Sequence, residues 1–301
     1  MPISEGESYL IDAVQRGDAD AWREVIARYQ GRLTSFARRM LAQPSEAEDL
    51  VQDTFLGFVR SLPTFDRSRS LETYLFAILR NKLSDHFRRQ HGQRQSLEPL
   101  DQHEPDSAWV SAESPSRRVS AAEDVAAQRA AVTAALRGWV EQCQQQRRFS
   151  ELIAVEMLIV LGLRNKEVAA DLGITETAVA GVKFRVLERW RQLLQELGGA
   201  LDFSDADLAQ SSTVAQIWAE DGISCLKRST LGRYLLGALD GEWTDYIEFH
   251  LETVGCDRCR ANVDDLRAEE QRETTAQRDS FRERCFASSV GFLSQPPPAS
   301  G

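Results

Sequence analysis

The chain has 301 residues, which as a prior corresponds to about two domains of ~150 residues each. Its composition, 42% hydrophobic and 27% charged, is that of a soluble globular protein, and no apolar run reaches the ~20 residues of a membrane helix. The polar start MPISEGESYL has neither a basic n-region nor an apolar h-region, and five cysteines are too few for a disulfide scaffold, so a cytoplasmic protein without a membrane anchor is expected.

Taken whole, the net charge of −10 argues against a nucleic-acid binder, because DNA binding largely neutralises phosphates. The charge is segregated, however. Residues 74–94 carry Arg80, Lys82, Arg88, Arg89 and Arg94 against Asp85 alone, and 177–191 carry Lys183, Arg185, Arg189 and Arg191 against Glu188. The stretch 196–225 holds six acids and no base.

Helix-period patterns run through the chain with no convincing strand alternation, which predicts an all-α fold. Residues 8–41 read as two helices broken near Arg16–Asp18. Pro44-Ser45 opens the next, with Ser45 and Glu48 in a capping-box pattern and Leu50, Val51, Phe55, Phe58, Val59 and Leu62 on the buried face; Pro63 ends it. A loop leads to a helix over Tyr74–Gln90 with Leu75, Ile78, Leu79, Leu83 and Phe87 inward. Residues from about His91 to Asp124 are polar, contain three prolines and read as a linker. Helices resume at Val125–Phe149 and continue through a compact unit to Leu197. An acidic stretch, a small unit over about 224–285 and a disordered tail, QPPPASG, complete the chain.

The sharpest motif is Asn165–Arg191. A helix-turn-helix needs a small residue where its helices cross, a glycine at the turn and apolar residues at set offsets. Ala169 and Gly173 fill the first two roles, and Val168, Leu172, Ile174, Val179 and Val182 the rest. The second helix then turns Thr177, Lys183, Arg185 and Arg189 away from the apolar set, suited to phosphates and base edges in a major groove. In Ser45–Gln90, Glu46, Asp49 and Asp53 share one exposed face with Gln52. Asn81, Asp85, Arg88 and Arg89 lie opposite the apolar side of the next helix. Phe65, Tyr74 and Phe76 add aromatics near that basic face, the mixture that grips a backbone while stacking an unpaired base.

EAEDLVQDTFLGFV, then LETYLFAILRNKLSDHFRR, then the late helix-turn-helix resemble bacterial RNA polymerase sigma factors of the extracytoplasmic-function (ECF) type over about 10–91 and 125–197. The resemblance implies that the first domain binds the polymerase clamp through Asp49, Gln52 and Asp53. It implies that Tyr74, Asn81, Arg88 and Arg89, with the loop after Pro63, read and melt the −10 element, and that Thr177, Lys183, Arg185 and Arg189 read the −35 element. The implied partners are core RNA polymerase and promoter DNA. Catalysis belongs to the polymerase, so the chain is expected not to be an enzyme, and a net acidic chain is tolerable within a holoenzyme. Tyr74 stands where the family commonly has tryptophan, and Ala180-Gly181 where it often has polar residues.

A third signal is Cys225, His250, Cys256 and Cys259. Cys-x2-Cys places two thiolates on one turn, and a tetrahedral zinc ion takes four such nitrogen or sulfur ligands. LGRYLLGALDGEWTDYIEFHLETVGCDRCRANVDDL resembles the zinc-binding anti-sigma domain, with Cys225 in a suitable place for the upstream ligand. The gap from His250 to Cys256 is five residues where that family usually has three. Either the extra residues around Val254-Gly255 bulge and leave the ligands convergent, or the site has lost its metal. Cys143 and Cys285 read as buried, unreactive thiols.

The expected architecture is therefore a polymerase and −10 domain over 1–91, a flexible linker over 92–124, a helix-turn-helix domain over 125–197 and an acidic linker over 198–223. A small helical zinc unit over 224–285 and a tail over 286–301 follow. The expected function is an ECF-type sigma factor gated by its fused C-terminal unit, acting intramolecularly or through a separate regulatory partner, with Zn2+ in that unit. The rivals are a helix-turn-helix regulator that acts without polymerase and a zinc enzyme with an incidental helix-turn-helix.

Overall fold

The computed structural model describes residues 3–67, 69–95, 115–196, 212–270 and 275–293. Every regular element among them is helical. The tail expected over 286–301 is corrected at its start, where the last helix runs to Ser289 and a 3-10 turn covers Val290–Phe292; the residues from 294 and the centres of the two linkers, 96–114 and 197–211, lie outside the described residues.

The first domain comprises α1 (Glu5–Gln15), α2 (Ala19–Met40), α3 (Pro44–Ser61) and α4 (Leu71–Gln95). Asp18 caps α2 by accepting from the backbone N–H groups of Asp20 and Ala21. On α3, Val51, Phe55 and Phe58 are fully buried against Trp22 of α2, each worth roughly 1.5–3 kcal/mol of transfer free energy. The expected Ser45 capping box is corrected. Pro44 occupies the first turn, which shifts the N-cap to Gln43 and leaves Ser45 inside the helix, and Gln43 makes no side-chain cap. The helix carrying the basic face starts three residues before Tyr74 and continues to Gln95. Phe87, expected inside, is exposed because the helix outruns the bundle there.

The second domain comprises α5 (Pro115–Gln145), α6 (Phe149–Ile159), α7 (Asn165–Leu172) and α8 (Glu176–Glu196) around Trp139 and Trp190, whose rings meet edge to face at 5.5 Å. Its first helix begins at Pro115, ten residues before the expected start. Val168, Ala169 and Val179 form the buried helix-turn-helix seam, and Gly173 takes φ +65° at the turn. Ile174 departs from expectation: it lies at the outer rim of the turn, 41% exposed.

The C-terminal region comprises α9 (Ser212–Asp221), α10 (Arg228–Leu235), α11 (Gly241–Glu248), a π-helical turn (Phe249–Thr253), α12 (Asp257–Glu270) and α13 (Thr275–Ser289). Its apolar side chains are divided between the cores of the other two domains. Ala261, Phe281 and Cys285 join the Trp22 core; Tyr246, Ile247, Leu251, Cys259 and Val263 join the Trp139 core. Helix α12 lies along α2, α13 along α2 and α3, α9 between α4 and α5, and α11 on α6. The approach of α12 to α2 is close enough that a Cβ on Gly31 would clash with the Asp265 carboxylate.

Candidate metal centre and nucleic-acid interface

Cys225, His250, Cys256 and Cys259 converge: their ligand atoms all lie within 4.8 Å of one another. The Cys225 and Cys256 sulfurs are 3.6 Å apart, close to the roughly 3.8 Å that tetrahedral Zn–S bonds would set. Three local devices bring them together. The turn before Cys225 needs a glycine, since Gly222 has φ +59° and a Cβ there would meet Arg258 at 2.6 Å and the Cys225 sulfur at 2.9 Å. Helix α12 starts at Asp257, so Cys256 and Cys259 share its first turn. The five-residue gap is taken up by the π-helical turn, where Val254 N–H reaches back to the Phe249 carbonyl at 3.0 Å, and by Gly255 at φ +68°.

The donor set suits a metal ion. His250 is 1% exposed, its Nδ1 lies 3.0 Å from Glu156 Oε1, and Nε2 has no hydrogen-bond partner among the described residues. Burial pushes the imidazole pKa down, but Glu156 and the Cys256 thiolate outweigh it and hold it well above its usual value. The Cys256 thiol is drawn well below its ordinary value, chiefly by hydrogen bonds from Cys225 and Cys259 and also by His250. Leu226 N–H donates to the Cys259 sulfur at 3.4 Å. Cys143 and Cys285 are fully buried and free, and burial raises both thiols to about 12.

The metal-ligand turn also carries contacts to the first domain. Arg258, between two of the cysteines, donates to Thr73 Oγ1 and Glu72 Oε2 at 3.2 Å, with its guanidinium 5.3 Å from the Phe76 ring centre. Glu72 also accepts from Arg32 at 3.2 Å and Asn262 at 3.0 Å. Burial alone would raise its pKa, but Arg258 and Arg32 hold the carboxyl at about 2. Arg39 of α2 lies 3.6 Å from Asp257 and 2.7 Å from Asp264.

Helix α9 ends on a cluster of four arginines drawn from both other domains. Asp221, 2% exposed, pairs with Arg69 from the segment before α4 and with Arg129 of α5 at 3.1 Å, and accepts from Thr133 at 3.1 Å. Arg137 donates to its carbonyl at 2.6 Å, and Arg80 of α4 donates to that of Glu220. Cations at a helix C-terminus satisfy its free carbonyls and its negative dipole end. Of these partners the sequence marks Arg80 alone, as part of the basic run on α4. Glu156 was findable as an acid in the otherwise apolar run AVEMLI; Asp221 and Arg258 carry no local signature.

The nucleic-acid candidates fall on two surfaces. On α4, Asn81, Arg88 and Arg89 are exposed, while Tyr74 is half-buried, its ring centre 4.9 Å from that of Phe65. Phe65 and Phe76 are core residues, 8% and 0% exposed, which corrects their expected place beside DNA. On α8, Thr177 and Arg185 are exposed and Lys183 and Arg189 half-buried, Arg189 lying 3.6 Å from Glu196. Phe184 stands 64% exposed between them. On α3, Asp49 and Asp53 are exposed and Gln52 half-buried, with Asp53 3.7 Å from Lys82.

Residues 25–93 match the sigma-70 region 2 family. The ECF RNA polymerase sigma factor SigF of Caulobacter vibrioides is 42% identical over 88 residues, 29% of this chain and 48% of that protein. The ECF RNA polymerase sigma factor SigW of Bacillus subtilis is 32% identical over 79 residues, 26% of this chain and 42% of its own length. The RNA polymerase sigma factor CarQ of Myxococcus xanthus is 29% identical over 181 residues, 60% of this chain and 93% of that protein. The chain thus spans about half the length of the first two. No solved structure matches. No helix among the described residues is long and apolar enough to cross a membrane.

Proposed function

We infer that the chain is an ECF-type sigma factor, a non-enzymatic subunit that binds core RNA polymerase and directs it to promoters, and that its C-terminal region is a zinc-dependent, anti-sigma-like brake. The initiation role is supported by the region 2 match over 25–93 together with the helix-turn-helix of α7 and α8. In this reading Asp49, Gln52 and Asp53 meet the polymerase. Tyr74, Asn81, Arg88 and Arg89 engage the −10 element, and Thr177, Lys183, Arg185 and Arg189 the −35 element.

The observation that carries the brake is the arginine cluster under α9. Arg69 and Arg80 of the first domain and Arg129 and Arg137 of the second meet the carbonyls and carboxylates of one short helix. Without α9, four guanidiniums would repel at this junction; with it, the domains are held together. Arg185 and Thr177 stay exposed, so the brake acts by holding the spacing of the two DNA-reading surfaces rather than by covering the recognition helix. The domain order expected from the sequence is kept in this proposal, with 115–124 of the first linker belonging to α5 and 212–221 of the acidic linker forming α9.

Run-off transcription with core polymerase tests the initiation role. A chain with Asp49→Lys and Asp53→Lys is expected to lose polymerase capture and transcript together while keeping its helical circular dichroism. Retained capture by that chain would favour a helix-turn-helix regulator that works without polymerase.

A further inference from the structure

The metal-ligand set belongs to the C-terminal region, but the group that orients its histidine does not. Glu156 is on α6 of the helix-turn-helix domain, 0% exposed within the apolar run AVEMLI. A lone buried carboxylate is costly unless it is fully engaged. Here the engagement runs through one oxygen: Glu156 Oε1 accepts from Ser224 Oγ, which itself accepts from Trp218 Nε1 at 2.9 Å, and lies 3.0 Å from His250 Nδ1, while Oε2 has no hydrogen-bond partner among the described residues. That arrangement commits Nδ1 to the carboxylate and turns the partnerless Nε2 toward the three cysteines. Metal-binding histidines commonly donate their second ring N–H to a carboxylate, which sets the tautomer and the ring orientation.

We propose that Glu156 is the positioning residue of the metal centre, supplied across the domain boundary, so that a zinc ion in the C-terminal region is held at full strength only while the helix-turn-helix domain is docked. The centre is incomplete within its own domain: His250 can ligate through Nε2 without Glu156, but its ring is then free to rotate. By reciprocity, whatever docking adds to zinc affinity, zinc adds to docking. The regulatory consequence rests on the brake proposed above; the metal-binding claim stands without it.

The test uses the full chain and Zn2+ alone, titrated against a chromophoric chelator of known affinity. The parent is expected to bind one equivalent. Glu156→Leu, similar in size but without an acceptor, is expected to bind about 10–100-fold more weakly, and Glu156→Gln, which keeps an acceptor oxygen, to recover most of that loss. In 15N spectra the parent should show His250 protonated at Nδ1 and metal-bound at Nε2, a signature that a purely structural role for Glu156 would leave intact in the Leu variant. Should Glu156→Leu fail to fold, Glu156→Asp decides: it keeps the charge but withdraws it from Nδ1, and a several-fold loss is expected. Parent-like affinity in the Leu or Asp variant, a Gln variant as weak as Leu, or a parent that binds no zinc would each overturn the proposal. Failure of the brake reads out separately, as transcription by a chain ending at Leu197 that is no higher than the parent's while these affinities still differ.

Discussion

The C-terminal region holds its two neighbours by different chemistry. Toward the first domain the contacts are ionic and helical: Arg258 on Glu72, Arg39 between Asp257 and Asp264, and α13 seated on α2 and α3 with Arg284 paired to Glu48 at 2.6 Å. Toward the second, apart from the charged end of α9 held by Arg129 and Arg137, they are aromatic and gather around the candidate metal-ligand set. Phe149 packs against Trp243 and Tyr246 at 4.8 and 5.3 Å, and Glu156 reaches His250. The first interface is therefore expected to answer to charge and pH, and the second, in the reading proposed above, to a metal held by the cysteines and His250. A region that divides its core between two partners can release one while still held by the other.

Arg258→Ala attacks the ionic side and carries the largest expected effect. It strands Glu72 with one guanidinium instead of two, and breaking a buried pair typically costs about 3–5 kcal/mol. Hydrogen exchange should rise along α2 and α12 while α6 and α11 stay protected. Equal loosening at α6 would show that the two interfaces are one cooperative unit. The same carboxylate sets a pH response. Its folded pKa of about 2 lies below the ordinary 4.5, so the stability it contributes is complete above pH 4.5 and is lost as pH falls toward 2. By pH 3 the loss should be on the order of 2 kcal/mol, and Glu72→Gln should flatten the acid limb of the unfolding-midpoint curve; an unchanged limb would place the sensitivity elsewhere. The smallest effect is expected for Arg147→Ala on the aromatic side. Arg147 meets Asp240 at 2.6 Å and Glu242 at 2.9 Å at the surface, with all three side chains about half exposed or more, where ion pairs contribute little and salt screens them. The thermal midpoint should not move beyond error, and a clear drop would mean that the aromatic contacts of Trp243 and Tyr246 also depend on charge.

Much of this was legible in the residues. The period of Leu50, Val51, Phe55 and Phe58 and the offsets of Val168, Ala169 and Val179 follow from local helical geometry, which one chain segment suffices to reveal. The cysteine and histidine set was legible because few chemistries need that spacing. What escaped was non-local or terminal. Pro44 moved the cap that Ser45 and Glu48 advertised. Phe87 kept the helical period past the point where the bundle ends, and Phe65 and Phe76 looked available for stacking until the core closed over them. The pairings of Asp221 with Arg69 and Arg129, and of Glu156 with His250, join residues 92 to 152 apart by the differences of their numbers, with no periodicity to connect them. Only the docking of the C-terminal region makes those groups neighbours.

The central claim is that this docking restrains initiation. The most direct measurement is promoter-dependent run-off transcription by core polymerase with the full chain and with a chain ending at Leu197, at equal concentrations. The account predicts more transcript from the shorter chain; equal or lower output would contradict it.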